Sequence, residues 1–354
     1  MIYDKIPFRE EEMQSGKEYR SFVPGAAGIL KPDYPITVKD NLRRTMEGKP
    51  AWLPSDTEFF TFAPALIVEN IARGFVIDAE RIPAEKLGGP DFFGINWIFM
   101  PEARGSMVMP GNPLLNDACE WKEKVVFPDI SSWDWEGSAL KNKMLLSDGR
   151  PVKMTIYTGF FERLVSFMGM EGALIALIDE EQKEDVKELF DRLSDFYIEL
   201  IGYMKRYYNF DVLWFHDDWG SQKAPMFSYG TVHEMIEPYL KKVIDAAHKI
   251  NIIFEFHSCG KIEPLVQAIV DSGVDLWDGQ DINDKARLSR EYKGKLCIEV
   301  EASSVMNSSE DEIEEFLTGI FNTYDKGIFL GKTFKSDPKL YPVAYRMSRK
   351  LYNI

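Results

Sequence analysis

The sequence predicts an α/β fold, a single (β/α)8 TIM barrel with an N-terminal extension and an insertion at about 85–150. Three observations carry this. Apolar runs of four to six residues alternate with amphipathic stretches of 12–20 through the second half of the chain, the pattern of a parallel sheet with right-handed crossovers. Eight strand candidates can be counted, the number a closed barrel needs. No G-x-G-x-x-G follows any of them, so an open dinucleotide-binding sheet has no support.

The elements follow in order. Residues 1–36 carry Pro24, Pro32, Pro35, Gly25 and Gly28 without a sustained period, and read as an arm that wraps the barrel of 37–354. Thr37 with Asp40 three residues on looks like a capping box, opening the short helix NLRRTMEGK, which Gly48 and Pro50 end. AWLPS (51–55) is the first predicted strand. Residues 85–150 are dense in Gly, Pro and Trp and read as an insertion on one face; INWIFM within it supplies the second strand, and its apolar, Trp-rich part (92–135) suggests a homodimer surface. The remaining strands are KMTIY (153–157), DVLWF (211–215), IIFEF (252–256), VDLWD (274–278), LCIEV (296–300) and GIFLG (327–331). Helices such as KEDVKELFDRLSDFYIELIGYMKRYY and TVHEMIEPYLKKVIDAAHKI lie between them.

Composition narrows the function. With 42 Lys+Arg against 57 Asp+Glu the formal charge is −15, which disfavours nucleic acid and anionic membrane surfaces alike. The longest apolar stretches, such as ALIALI (173–178), are far short of the roughly 20 residues of a membrane span, and the N-terminus lacks the basic and apolar regions of a signal peptide. A soluble, cytoplasmic protein is expected. Three scattered cysteines, Cys119, Cys259 and Cys297, do not make a disulfide framework.

Alternation along the strands places polar groups on one side. In IIFEFHSCG, Ile252, Phe254 and Phe256 face the helices while Ile253, Glu255, His257 and Cys259 face inward. In DVLWFHDDWG the inward set is Trp214, His216 and Asp218, and in LCIEVEAS it is Cys297, Glu299 and Glu301. The carboxyl ends of barrel strands are where active sites lie, so His257, Cys259, Asp218 and Glu301 converge on one candidate site. His257 and Cys259, at i and i+2 on one strand, share a face and can reach one zinc ion. Cys297 starts its strand, about 13 Å below Glu301 at 3.3 Å per residue, so Glu301 or Asp218 is the expected third ligand. His216 reads equally as a core histidine or a site residue; His233 and His248 read as solvated helix residues and Cys119 as a structural thiol.

Four segments, TGFFERLVSFMGMEGAL (158–174), DDWGSQKAPMFS (217–228), FHSCGKI (256–262) and GVDLWDGQDINDK (273–285), are similar to the uroporphyrinogen decarboxylase superfamily. The branch resembled is that of the zinc-dependent, corrinoid-dependent (methylcobalamin:thiol) methyltransferases, over roughly residues 37–350. The resemblance implies a (β/α)8 barrel, zinc on His257 and Cys259, and a corrinoid cofactor of the cobalamin type carried by a partner protein. Two departures are informative. The arginine-bearing M-R-Q-A-G-R-Y segment of true decarboxylases is replaced by LPSDTEFFTFAP (53–64), without an arginine, so a tetrapyrrole with eight carboxylates loses its clamp. The methyltransferases' later cysteine is also missing from GIFLGKTFKSD (327–337), so either a carboxylate replaces it or the site holds no zinc.

The expected function is methyl transfer between the corrinoid and a small methyl donor or acceptor, with zinc turning a substrate thiol into a thiolate. His216, Asp217, Asp218 and Glu301 are the expected catalytic residues, with Asp217 or Asp218 as base and Glu301 as a metal ligand or proton relay. Gln222, Lys223, Trp219, Gln280 and Tyr157 are the expected substrate-binding residues, Gln222 and Lys223 suiting a carboxylate or sulfonate. Two other readings stand beside it. One is a metal-free carboxy-lyase using Asp218 and His216; the other is a non-catalytic partner of a corrinoid protein, which buried carboxylates at several strand ends speak against.

Overall fold

The computed structural model describes residues 5–19, 28–69, 76–78, 80–83, 86–102, 105–147, 149–333 and 337–352; parts of the predicted arm (1–4 and 20–27) lie outside them. Among the described residues the main sheet has seven strands: β1 (Phe60–Phe62), β2 (Val152–Ile156), β3 (Val212–His216), β4 (Ile253–Ser258), β5 (Leu276–Gly279), β6 (Cys297–Glu301) and β7 (Ile328–Gly331). The chain divides into two compact units, one of Met1–Phe60, Asp148–Pro151 and Asp275–Ile354, the other of Thr61–Ser147 and Val152–Val274.

In the second unit β2, β3 and β4 pair in parallel, with Val212 opposite Lys153 and Ile253, and His216 opposite His257. Leu213, Phe215, Phe254 and Phe256 are all fully buried on the helix side, as alternation requires. Two helices pack here, α1 (Phe160–Ala176) and α2 (Lys183–Tyr208). Along α2 the residues Val186, Leu189, Phe190, Leu193, Tyr197, Leu200, Ile201 and Met204 are buried. That spacing of three and four is one helical stripe, and each such apolar side chain contributes about 1.5–3 kcal/mol. In the first unit β5, β6 and β7 are parallel, with Leu276 opposite Cys297 and Glu301 opposite Gly331.

The expected closed eight-stranded barrel is therefore corrected to an α/β fold with a seven-stranded sheet. The two missing strands have separate reasons. AWLPS joins no ladder because Asn41 takes the place of a neighbouring strand: its Oδ1 accepts from Ala51 N (2.7 Å) and Trp52 N (3.3 Å), and its Nδ2 donates to Trp52 O (3.0 Å). Among the described residues only Ser55 bridges to Leu330, and Pro54 has no N–H to extend that pairing. INWIFM does form a strand, Asn96–Met100, but it pairs antiparallel with Gly89–Pro90 and Gly105–Val108 in a sheet of its own within the insertion. Local alternation predicts a strand without saying which sheet it joins.

Candidate active site

At the carboxyl ends of β3 and β4, four side chains come together within the second unit: His216, Asp218, His257 and Cys259. One donor atom from each lies within 4.8 Å of every other. His216 and His257 are opposite in register, and their rings stack with centroids 4.8 Å apart and planes 10° from parallel. Trp214, one layer down, packs against both, 5.3 Å from His216 and 5.1 Å from His257. Tyr157 meets the other edge of that indole at 5.7 Å. Below lies a buried ion pair, Lys153 Nζ to Glu255 Oε2 at 2.5 Å.

The polar contacts are directional. His257 Nε2 is 3.3 Å from Cys259 Sγ, and Asp218 Oδ1 is 3.1 Å from His216 Nε2 and 3.9 Å from His257 Nε2. The Cys259 N–H donates to the same Oδ1 at 2.7 Å. Burial opposes ionisation of the Cys259 thiol, but the neighbouring His216 and His257 imidazoles outweigh it and hold the thiol below its ordinary range. The loops carrying these residues are clasped together: Trp219 N donates to Ser258 Oγ (2.9 Å), Asp217 N to His257 O (3.0 Å) and Lys261 N to Ser221 O (2.8 Å). Gly260, at φ 91°, lies against the backbone of Gly220 where a Cβ would have no room.

Asp217, between the two inward residues, points the other way. Its carboxylate accepts from Phe161 N (3.1 Å), Glu162 N (2.9 Å) and Trp219 Nε1 (2.8 Å). It caps α1 from outside, because the N-cap position is Gly159, which has no side chain to do so. Burial foremost, then the charge of Glu162, pushes Asp217 up to about 7 against these donors. Glu69 does similar work for the turn after β2, accepting from Tyr157 N (2.6 Å) and Thr158 N (2.8 Å), and burial pushes it up to about 7.

The other predicted residues are placed as follows. Trp219 is fully buried, held by Asp217. Gln222 and Lys223 are exposed on the loop after β3. Gln280 and Glu301 belong to the other unit; there Glu301 faces Lys332 Nζ at 2.9 Å and accepts from Ser303 Oγ, and Gln280 O accepts from Asn283 Nδ2 at 2.9 Å. Sequence reasoning missed Glu162. Its Oε2 lies 2.6 Å from His216 Nδ1, reaching the site from the first turn of α1, and no strand alternation can reveal a residue that arrives from a helix.

Two imidazoles, a thiol and a carboxylate fit a zinc-type ion in their chemistry. Metal–ligand distances of about 2.0–2.3 Å in a tetrahedron put donors about 3.3–3.8 Å apart, and the contacts of 3.1, 3.3 and 3.9 Å span that range.

No protein-family model and no curated protein matches this sequence. Among solved structures the chain is similar to a methyltransferase from Methanosarcina mazei, with a TM-score of 0.62 and 14% identity over 90% of this chain and 100% of that one. That likeness establishes the fold. Old Yellow Enzyme from Pichia sp. AKU4542 (TM-score 0.36, 12% identity, 59% of this chain and 66% of that) and a 2,3-dimethylmalate lyase (0.34, 11%, 88% and 85%) share much less of it. Among the described residues no helix is long and apolar enough to cross a membrane.

Proposed function

We propose that the chain is a methyltransferase that moves a methyl group between a corrinoid, carried by a partner protein, and a small thiol substrate. The observation that carries this reading is the convergence of His216, Asp218, His257 and Cys259 on one point at two adjacent strand ends. The fold shared with a protein named a methyltransferase supports it. His257 and Cys259 would hold zinc, whose Lewis acidity makes a thiolate available at neutral pH. Asp218, more exposed than either histidine at 26% of its side chain against 3% and 12%, would take the thiol's proton. The sulfur–carbon bond then forms as the donor's bond to the methyl breaks, the electron pair staying with the donor. Cys259 acts as a ligand in this scheme and is not itself methylated.

The test is zinc content after purification without chelator, together with methylcobalamin consumption by a panel of thiols. About one zinc per chain, lost in a His257→Ala, Cys259→Ala variant together with turnover, is expected. Zinc-free wild type that consumes no methylcobalamin would overturn the reading.

One observation favours a second reading. His216 stands between two carboxylates, Glu162 and Asp218, an arrangement that can move a proton without metal, as a carboxy-lyase requires. Under it Cys259→Ser leaves turnover of a carboxylated substrate intact while Asp218→Asn abolishes it.

A further inference from the structure

We infer that His216 is an ion ligand through Nε2, completing the set with His257, Cys259 and Asp218, and that Glu162 is the positioning residue that makes Nε2 the donor. The inference rests on the ion site of the reading above and assigns its remaining members.

The argument begins with Nδ1. Glu162 Oε2 lies 2.6 Å from His216 Nδ1, and a carboxylate can only accept there, so the Nδ1 proton is fixed in place. That leaves Nε2 aimed at the site, 3.1 Å from Asp218 Oδ1. Oδ1 is already turned toward this point by the Cys259 N–H. A bare ring nitrogen and a carboxylate oxygen at 3.1 Å repel unless something positive lies between them, either a second ring proton or a cation. The sulfur of Cys259 and Nε2 of His257 face the same point, and two more electron-rich donors favour a cation of charge two over a single proton. Carboxylate, imidazole and ion in series is the arrangement by which outer groups orient a metal-binding histidine and raise its basicity.

Rigidity supports the assignment. The His216 ring is stacked on His257 and packed on Trp214, and its side chain is 3% exposed. Nε2 cannot swing away to serve a substrate elsewhere. Three buried or part-buried ligands, His216, His257 and Cys259, then form the fixed face of the site. Asp218 occupies the fourth position on the open side, where a substrate thiol would replace it, the division of labour that a catalytic site needs.

The experiment compares wild type with His216→Ala, Glu162→Ala and Glu162→Gln. Zinc affinity is read by competition with a chromophoric chelator, and the visible spectrum of the cobalt(II)-loaded protein reports the ligand set. His216→Ala should weaken zinc by about 100-fold or more and alter the cobalt bands. Glu162→Ala should cost about 10–100-fold, the usual effect of losing an outer partner. Glu162→Gln keeps an oxygen for the Nδ1 proton but loses the charge that raises the ring's basicity, so it should cost less than Glu162→Ala and keep the wild-type spectrum. Circular dichroism checks each fold; if His216→Ala does not fold, the Glu162 pair carries the test. Wild-type affinity and spectrum in both alanine variants would overturn the inference. Methylcobalamin-dependent turnover, followed in parallel, separates it from the parent reading. Turnover with unchanged zinc binding in His216→Ala removes the ligand assignment and leaves methyl transfer standing. The ranked loss of affinity without turnover in wild type keeps the ion site and removes methyl transfer.

Discussion

Glu58 offers a quantitative test of how the first unit is held together. Its side chain is fully buried, and its Oε1 accepts from Tyr341 Oη (2.7 Å) and Trp52 Nε1 (2.6 Å). Burial pushes its carboxyl from 4.5 up to about 8, so at neutral pH it is held as the acid. A carboxyl whose folded pKa is raised stabilises the fold below its unfolded value and loses that contribution as pH climbs through the folded one. At about 1.36 kcal/mol per pKa unit, a difference between 4.5 and about 8 amounts to about 5 kcal/mol at most, lost progressively between about pH 4.5 and pH 8. Glu58→Gln mimics the acid, keeps the Oε1 acceptor and cannot ionise. Urea unfolding followed by tryptophan fluorescence should therefore place it within about 1 kcal/mol of wild type near pH 4.5, about 2 kcal/mol above wild type at pH 6 and about 5 kcal/mol above it at pH 9. Glu58→Ala orphans the buried Tyr341 hydroxyl and Trp52 N–H, at about 1–3 kcal/mol each, and should be less stable than Glu58→Gln at every pH. Parallel wild-type and Gln curves between pH 6 and 9 would refute the argument, because Glu69 and Asp217, the other carboxyls pushed up by burial, are common to both proteins.

Cys259 should react with iodoacetamide faster than Cys119 relative to each thiol's exposure, because His216 and His257 lower the first while Asp117 raises the second; peptide mapping at pH 7.5 with and without zinc checks this, zinc protecting Cys259. Arg163→Met leaves Asp91 as a buried unpaired charge in place of a 2.5 Å ion pair, a change of about 3–5 kcal/mol, and limited proteolysis should then cut the 86–147 segment first. Asp217→Ala should lose about 2–4 kcal/mol in urea unfolding, from the α1 cap and the buried Trp219 N–H, and should weaken zinc non-additively with Glu162→Ala.

Six of the main strands were legible because buried strands in this chain are short, apolar and bounded by turns, and the structure places them within two residues of the predicted spans. The clustering of four polar side chains at the ends of β3 and β4 was legible for a related reason. A period of two on DVLWFHDD and IIFEFHSC puts His216, Asp218, His257 and Cys259 on the same side, and parallel pairing in register puts them at the same height. What escaped was whatever depends on contacts between distant segments. Asn41 standing in for a strand beside Trp52 leaves no periodic trace, nor does the decision of Asn96–Met100 to pair within the insertion. Glu162 escaped because its helix position says only that it is acidic and in the first turn.

The tripeptide His216-Asp217-Asp218 shows why the site and the fold cannot be varied independently. At a strand end its outer residues turn inward as candidate ligands, and its middle residue must turn outward. That outward carboxylate meets the first turn of α1 and satisfies two of the N–H groups every helix start leaves open. Fixing that turn fixes Glu162, and Glu162 reaches back to His216 Nδ1. The circuit runs from His216 through one peptide bond to Asp217, across two hydrogen bonds to α1, and back through a carboxylate to the same imidazole. Each member is held at both ends, so the orientation of His216 is set by the chain itself, before any ion or substrate arrives.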